Sequence, residues 1–298
     1  MKLAKLWLSL SLSAVLCVSL AGRAAEPPAA KHFFWKVGGG KGTVYLLGTV
    51  HLGNKDLYPL PSVIEDSFKQ SDTLVEEIDL TSGDAQGLTA NFLKRGLYLD
   101  GDTVTNHLSE ESKTALAAYA KSGQLGANYT HAKPWLLSIL VMQLQLKEMG
   151  LDGAKGLDLH FSEEAAAMHK PVAGLETAEF QITLFSSFSD ELQDRLLLTA
   201  LLDAQKGKEL LQRTLDAWRA GDTEAMEAVI TAETREHPSL EPEMEKLFYE
   251  RNDAMTRQID KFLQTPKTYF VAIGAGHLVG PRGILSQLRD KSYTVERP

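Results

Sequence analysis

The chain has 298 residues, 44% hydrophobic and 23% charged, with 39 Asp and Glu against 31 Lys and Arg, so its formal net charge is −8. An acidic balance with no long basic run argues against a nucleic-acid partner. The single cysteine, Cys17, lies in an apolar leader, so the mature chain can hold neither a disulfide framework nor a thiolate metal ligand, and any metal site must use imidazole, carboxylate, carbonyl or water.

That leader begins the chain. Lys2 and Lys5 precede an apolar stretch from Leu6 to Leu20, and small residues follow up to Ala25, which is the layout of a secretory signal peptide. Four serines interrupt the stretch (Ser9, Ser11, Ser13, Ser19), and it is short for a bilayer span of about 20 residues. Cleavage between Ala21 and Ala25 removes Lys2, Lys5 and Arg23 and takes the charge to −8 − 3 = −11. The expectation is a signal peptide over 1–25 and one domain over 26–298. That domain is exported across the inner membrane to the periplasm, with no stable membrane span. About 270 residues suffice to bury a core without disulfides.

Phe33 to Val37 is a strand candidate, the glycine-rich 38–42 is a turn, and Thr43 to Leu47 returns as a second strand, making a hairpin. This strand runs into Gly48-Thr49-Val50-His51-Leu52-Gly53. Pro61 opens a short helix with Val63, Ile64 and Phe68 on one face, and Thr73 to Leu80 is a strand carrying Glu76, Glu77 and Asp79. Strand–helix–strand crossovers make the two strands parallel, so His51, Glu77 and Asp79 gather at one sheet edge. Alternation puts Glu77 and Asp79 on one face and Glu76 on the other, where Glu76 is expected to be solvated. A carboxylate inside an apolar strand is costly unless paired or metal-bound.

From about 81 to 263 the chain reads as a large, mostly helical insertion. Ser109 caps a helix to about Lys121. Pro134 opens another to Met149, apolar nearly all round from Trp135 to Met142 and therefore read as buried. Gly156-Leu157-Asp158 starts a helix to about His169, and Pro171 to Leu175 is a short strand ending in Glu176. Helices follow from Ser189 and over 208–220, with Gly221 as a stop and Asp222 as the next cap. Between Leu240 and Leu263, Met244, Phe248, Met255, Ile259 and Phe262 form a buried stripe into which Arg251 falls, with Asn252 beside it. A guanidinium there needs a carboxylate or anion, or else it snorkels to the rim. The strand Thr268 to Ile273 then runs into Gly274-Ala275-Gly276-His277-Leu278. A short helix to Asp290 and a last strand over 292–295 complete the chain.

The two Gly-x-x-His-Leu copies lie 277 − 51 = 226 residues apart, and each delivers an imidazole just past a strand. That edge is where open α/β sheets bind ligands. Gly48, Gly274 and Gly276 allow the sharp turn or close approach. The candidate constellation is His51, Glu77 and His277, supported by Asp79, Glu176, Arg251 and Asn252. Two imidazoles and a carboxylate are a common ligand set for a catalytic divalent metal, with Glu176 accepting a proton and Arg251 steadying an oxyanion or a substrate carboxylate. The same groups without metal would make one histidine a general base, with Arg251 as anion anchor. Spacing does not separate these readings. His32, His107, His131, His160, His169 and His237 read as structural or surface residues.

These segments carry a family resemblance. Together with Phe34-Trp35-Lys36-Val37, Leu57-Tyr58-Pro59-Leu60-Pro61, Ser71 to Asp79, Gly156-Leu157-Asp158 and Glu250-Arg251-Asn252, they make the chain similar to the TraB/GumN group, bacterial relatives of the Tiki metalloproteases. Val50 replaces the more usual Ile of the first motif. The resemblance implies a mixed α/β fold with a central, mostly parallel sheet flanked by helices, shared with erythromycin-esterase-like and haem-binding ChaN-like proteins. It implies a divalent-metal hydrolase acting on peptides or proteins, with manganese or cobalt favoured over zinc. The alternative on the same scaffold is a non-catalytic periplasmic protein binding haem or another ligand.

Overall fold

The structure is a computed structural model that describes residues 32–51, 53–79, 88–99, 101–202 and 204–298. The expected leader lies outside the described residues. Strands β1 (Phe34–Gly38), β2 (Thr43–Thr49), β3 (Thr73–Ile78), β4 (Val172–Glu176), β5 (Thr268–Gly274) and β6 (Thr294–Glu296) form one sheet in the order β4-β3-β5-β2-β1-β6. β5 lies between β2 and β3 and is parallel to both, and β4 is parallel to β3. Within this sheet β1 pairs antiparallel with β2 and with β6. The fold is therefore mixed α/β around a mostly parallel sheet. The β2 and β3 carboxyl ends share an edge as expected, and the C-terminal β5 slots between them.

Helix α1 (Ser62–Gln70) makes the β2–β3 crossover and buries Ile64 and Phe68 against the sheet. The Phe68, Phe161 and Phe270 rings pack with centroids 4.8 to 5.4 Å apart. Burying each such side chain stabilises the fold by about 1.5–3 kcal/mol. Helices α2 (Leu88–Gly96), α3 (Glu110–Ala120), α4 (Pro134–Glu148) and α5 (Leu157–Ala167) precede β4. Then come α6 (Ala178–Ser186), α7 (Asp190–Leu202), α8 (Ala204–Ala220) and α9 (Thr223–Ile230). Local chemistry sets their ends. Ser109, Thr177 and Asp222 accept backbone N–H groups at helix starts, and Pro134 opens α4. Helix α10 (Glu250–Leu263) precedes β5, and α11 (Ile284–Asp290) follows it. Among the described residues no helix is long and apolar enough to cross a membrane.

Three expectations need correcting. Helix α4 is not buried all round. Trp135, Leu137 and Val141 pack in a second apolar cluster with Leu116, Leu197 and Leu201, but Met142 is 49% exposed, because helices cover only one side. Glu76 is not solvated. Helix α5 packs over this face of β3, so Glu76 is 2% exposed, and its carboxyl group accepts the Ser162 hydroxyl at 2.7 and 2.8 Å. Burial pushes its pKa up to about 8, the Ser162 bond opposing and Asp158 and Asp79 adding to it. Finally, the helix from 240 to 263 is not uniform. A helical turn, Glu241–Met244, leads into a π-helical turn, Glu245–Tyr249, before α10. The wider turn changes the helical phase. Phe248 then faces His277, and Arg251 and Asn252 are both buried.

Candidate functional site

Four adjacent strands deliver the site's side chains to one edge: Glu176 from β4, Glu77 from β3, the His277 turn after β5, and His51 after β2. Their meeting point is Gly274. A Cβ added there would lie 3.1 Å from Glu77 Oε1, 3.5 Å from His51 Nε2 and 3.6 Å from His277 Cδ2. The three residues singled out in sequence therefore surround one backbone position, which only a residue without a side chain can occupy while leaving that space open.

Each imidazole is held by its other nitrogen. His51 Nδ1 lies 2.9 Å from Asp158 Oδ2, and Asp158 Oδ1 accepts the Thr49 hydroxyl at 2.7 Å. His277 Nδ1 lies 2.6 Å from Asn252 Oδ1, while Asn252 Nδ2 donates to the Arg282 carbonyl at 3.0 Å. A carbonyl can only accept, so the Asn252 amide is oriented with its oxygen toward His277. His277 Nδ1 therefore carries the hydrogen, and Nε2 keeps its lone pair, 3.9 Å from Glu77 Oε1. The same reasoning from the Asp158 carboxylate leaves His51 Nε2 as the free nitrogen of the neutral ring. Acceptors behind Nδ1 with Nε2 presented forward are the usual arrangement behind a metal-ligating histidine.

Arg251 ties the carboxylates together. Its Nε and Nη2 donate to Glu176 Oε1 and Oε2 at 2.8 Å each, and Nη2 also donates to Glu77 Oε2 at 2.8 Å. Nη1 donates to the Leu247 carbonyl at 2.9 Å. Burial alone would lower its pKa, but the Glu176 and Glu77 carboxylates raise it. So the guanidinium is not snorkelling; it is shared between two buried acids. Gln181 Nε2 reaches both, 2.9 Å from Glu176 Oε2 and 3.3 Å from Glu77 Oε2. Glu77 Oε1 also accepts the Gly274 N–H at 2.8 Å.

The electrostatics divide the groups. Burial pushes Glu77 up, but His277, His51, Arg251 and the Gly274 N–H together bring it down to about 2. Burial lowers His277 to about 4; Glu77 opposes this, and Arg251 and His51 reinforce it. At neutral pH Glu77 is therefore ionised and His277 neutral. Neighbouring atoms crowd His51, and desolvation would lower it too. Yet 65% of that side chain still faces solvent, and Asp158 with Glu77 wins, raising it to about 9.

Asp79 follows the end of β3, and its charge acts on Glu76, on the other side of the strand from Glu77. Gly48 sits under the first motif, where its carbonyl accepts the Trp218 indole N–H at 2.6 Å. Gly276 packs against Phe248 and Ile230. His107 is stacked on Tyr98 and bonded to Asp102, and His160 is bonded to Glu65; neither belongs to the site. Sequence reasoning missed the roles of Asp158, Thr49 and Gln181. Asp158 had a signal: it closes Gly156-Leu157-Asp158, one of the segments that carry the family resemblance, and in the structure it stands in the first turn of a helix whose Gly156 leaves no room for a side chain beside the His51 carbonyl. Gln181 had none.

Among the described residues no group of three or more His, Cys, Asp or Glu side chains is drawn close enough to hold a metal ion. The donor set nevertheless fits a divalent cation in type: beside the ionised Glu77, neutral His277 presents an outward Nε2 lone pair, and His51 would present a second once a cation displaces its proton. A cavity of 520 Å³ between α2, α4 and the 124–129 loop shares no residue with this site.

The model of the TraB/PrgY/gumN family matches residues 33–297. The chain belongs to that family. It is 26% identical over 246 residues to the uncharacterized protein YbaP of Escherichia coli (strain K12), covering 82% of this chain and 87% of YbaP. It is 24% identical over 304 residues to the metalloprotease TIKI1 of Danio rerio, covering 85% of this chain but only 60% of TIKI1. An uncharacterized protein of Treponema pallidum (strain Nichols) is 23% identical over 294 residues, covering 92% of this chain. No solved structure matches.

Proposed function

We propose that this member of the TraB/PrgY/gumN family is an exported, divalent-metal-dependent hydrolase of peptides or proteins. The observation that carries the reading is the convergence of His51 Nε2, Glu77 and His277 on Gly274, each imidazole fixed from behind by an acceptor. His51, Glu77 and His277 would hold the metal, which when bound would polarise a carbonyl and lower the pKa of water. The named metalloproteases among its relatives support the same chemistry.

The chain's own residues divide the remaining work. Asp158 and Asn252 orient the two imidazoles. Arg251 keeps Glu77 ionised in a buried setting and spaces it from Glu176. Both Glu176 oxygens are already engaged by Arg251 and Gln181, so Glu176 anchors the guanidinium. His51, the most open of the groups and biased toward the protonated state, would give up that proton to solvent as the metal takes its Nε2.

The test is metal analysis of the purified mature protein, followed by peptide digestion with added Mn²⁺, Co²⁺ or Zn²⁺ and with chelator. Stoichiometric metal and chelator-sensitive cleavage are expected. Cleavage that survives chelation would sink the metal-dependent reading.

A further inference from the structure

We propose that the cavity beside the His277 turn is a side-chain subsite for a lysine or arginine of a bound peptide, an inference that deepens the peptidase reading and names its substrate class. The cavity holds 330 Å³, within the general range of ligand-sized pockets and ample for one side chain. Gly276 and Asn252 form part of its wall, so it adjoins both the turn that carries His277 and the amide that orients it. The Phe248 ring stands between, 5.2 Å from the His277 ring centre.

The lining is apolar within and acidic around. Ile230, Met244, Phe248 and Val279 supply the apolar wall, and Glu227 and Glu241 bring carboxylates. The one cation in the lining, Arg282, is already neutralised. Its Nη1 and Nη2 donate to both Glu245 oxygens, at 2.5 and 2.8 Å, and its guanidinium lies over the Tyr249 ring at 4.2 Å. Glu227 and Glu241 form no ion pair among the described residues. An apolar sleeve with two uncompensated carboxylates is complementary to a long methylene stem ending in a positive charge. A glutamate side chain would meet like charge, and an aliphatic one would leave the carboxylates unused. The chain's net charge of −8 favours approach of the same basic substrates.

The arrangement is testable without turnover. His51→Ala protein, expected to be cleavage-dead, is titrated without added metal into fluorescein-labelled heptapeptides differing only at a central Lys, Arg, norleucine or Glu. Anisotropy should show the Lys and Arg peptides binding about tenfold tighter than norleucine, as two partly exposed charge pairs would give. The difference should shrink with added salt. Glu227→Gln/Glu241→Gln in the same background should erase it while leaving norleucine binding unchanged. Equal binding of the Lys and norleucine peptides, or no binding of any peptide, overturns the subsite. Mass-spectrometric digests with wild-type protein address hydrolysis separately. Lys-selective binding without cleavage keeps the subsite and removes the peptidase, whereas cleavage indifferent to Lys and Arg does the reverse.

Discussion

The two histidine arms are built from the same local pattern and end in opposite electrical states. In the first, His51 stands at the mouth with 65% of its side chain exposed and a carboxylate, Asp158, behind it. In the second, His277 is 5% exposed, covered by Phe248, with a neutral amide, Asn252, behind it. Both arms turn Nε2 forward. The charged support drives His51 up to about 9 against desolvation, while burial, which the amide does not offset, takes His277 down to about 4. The motif thus fixes where an imidazole points, and the residue behind it decides whether that imidazole keeps a proton. A cation entering between them would displace a proton from the first arm and none from the second.

The harshest way to break the comparison is to remove what both arms share. Arg251 is the counter-charge for Glu77 and Glu176, whose side chains are 12% and 6% exposed. Arg251→Met would leave two buried carboxylates facing each other, at a cost of about 3–5 kcal/mol. Urea denaturation near neutral pH should show that loss, largely relieved in Arg251→Met/Glu176→Gln. A single variant as stable as wild type would mean the guanidinium supports neither acid.

Next comes removal of each ring. His51→Ala and His277→Ala should both abolish peptide cleavage with circular dichroism near wild type. Their stabilities should differ. His277→Ala orphans the Asn252 oxygen in a buried setting and costs about 1–3 kcal/mol. His51→Ala changes an exposed position and should stay within about 0.5 kcal/mol. Equal losses in the two would contradict the asymmetry.

Much of this could be read from the chain beforehand, and the parts that could not share a cause. Strand-ending glycines, caps and stripes are local, so His51, Glu77, His277 and Arg251 were legible as a set. What each touches is decided by topology. Glu76 and Glu77 are neighbours with opposite fates, one pushed up to about 8 and the other held at about 2, because helix α5 covers Glu76 on one face whereas the carboxyl edge brings Glu77 its cations and the Gly274 N–H. The partners behind the rings, Asp158 and Asn252, lie 107 and 25 residues from them. Helical periodicity marks Asn252 only as a residue beside a stripe. The π-helical turn that brings Phe248 to His277 leaves no mark in the apolar spacing.

Exchanging the supports sharpens the contrast. Asn252→Asp would give the second arm the first arm's chemistry. A carboxylate against Nδ1 raises His277 above about 4. The variant also loses the donor to the Arg282 carbonyl, so it should be about 1–3 kcal/mol less stable. Histidine NMR titration reads the first effect and thermal denaturation the second. A His277 that still titrates near 4 with a carboxylate behind it would show that the residue supporting the ring does not decide its state.

The mildest exchange is the reverse one, Asp158→Asn. It is close to isosteric: an amide oxygen can still accept from His51 Nδ1, and the amide nitrogen can donate to the Thr49 hydroxyl, so the fold should be almost untouched. The change is in proton affinity. His51 is raised in the folded chain from 6.5 to about 9, so the folded state binds more protons than the unfolded state between those values. The resulting stabilisation is fully present below pH 6.5 and is lost as pH rises through 9. Asp158→Asn removes the carboxylate that drives the rise, so the decline in urea midpoint from pH 6.5 to 9 should flatten, and the His51 resonance should titrate well below its wild-type midpoint. Because the ring is largely exposed, the stability change will be small and salt-sensitive, and the NMR shift is the sharper reading. A His51 midpoint unmoved by the exchange would mean that Asp158 merely braces the ring and that the two arms do not differ in the way their supports require.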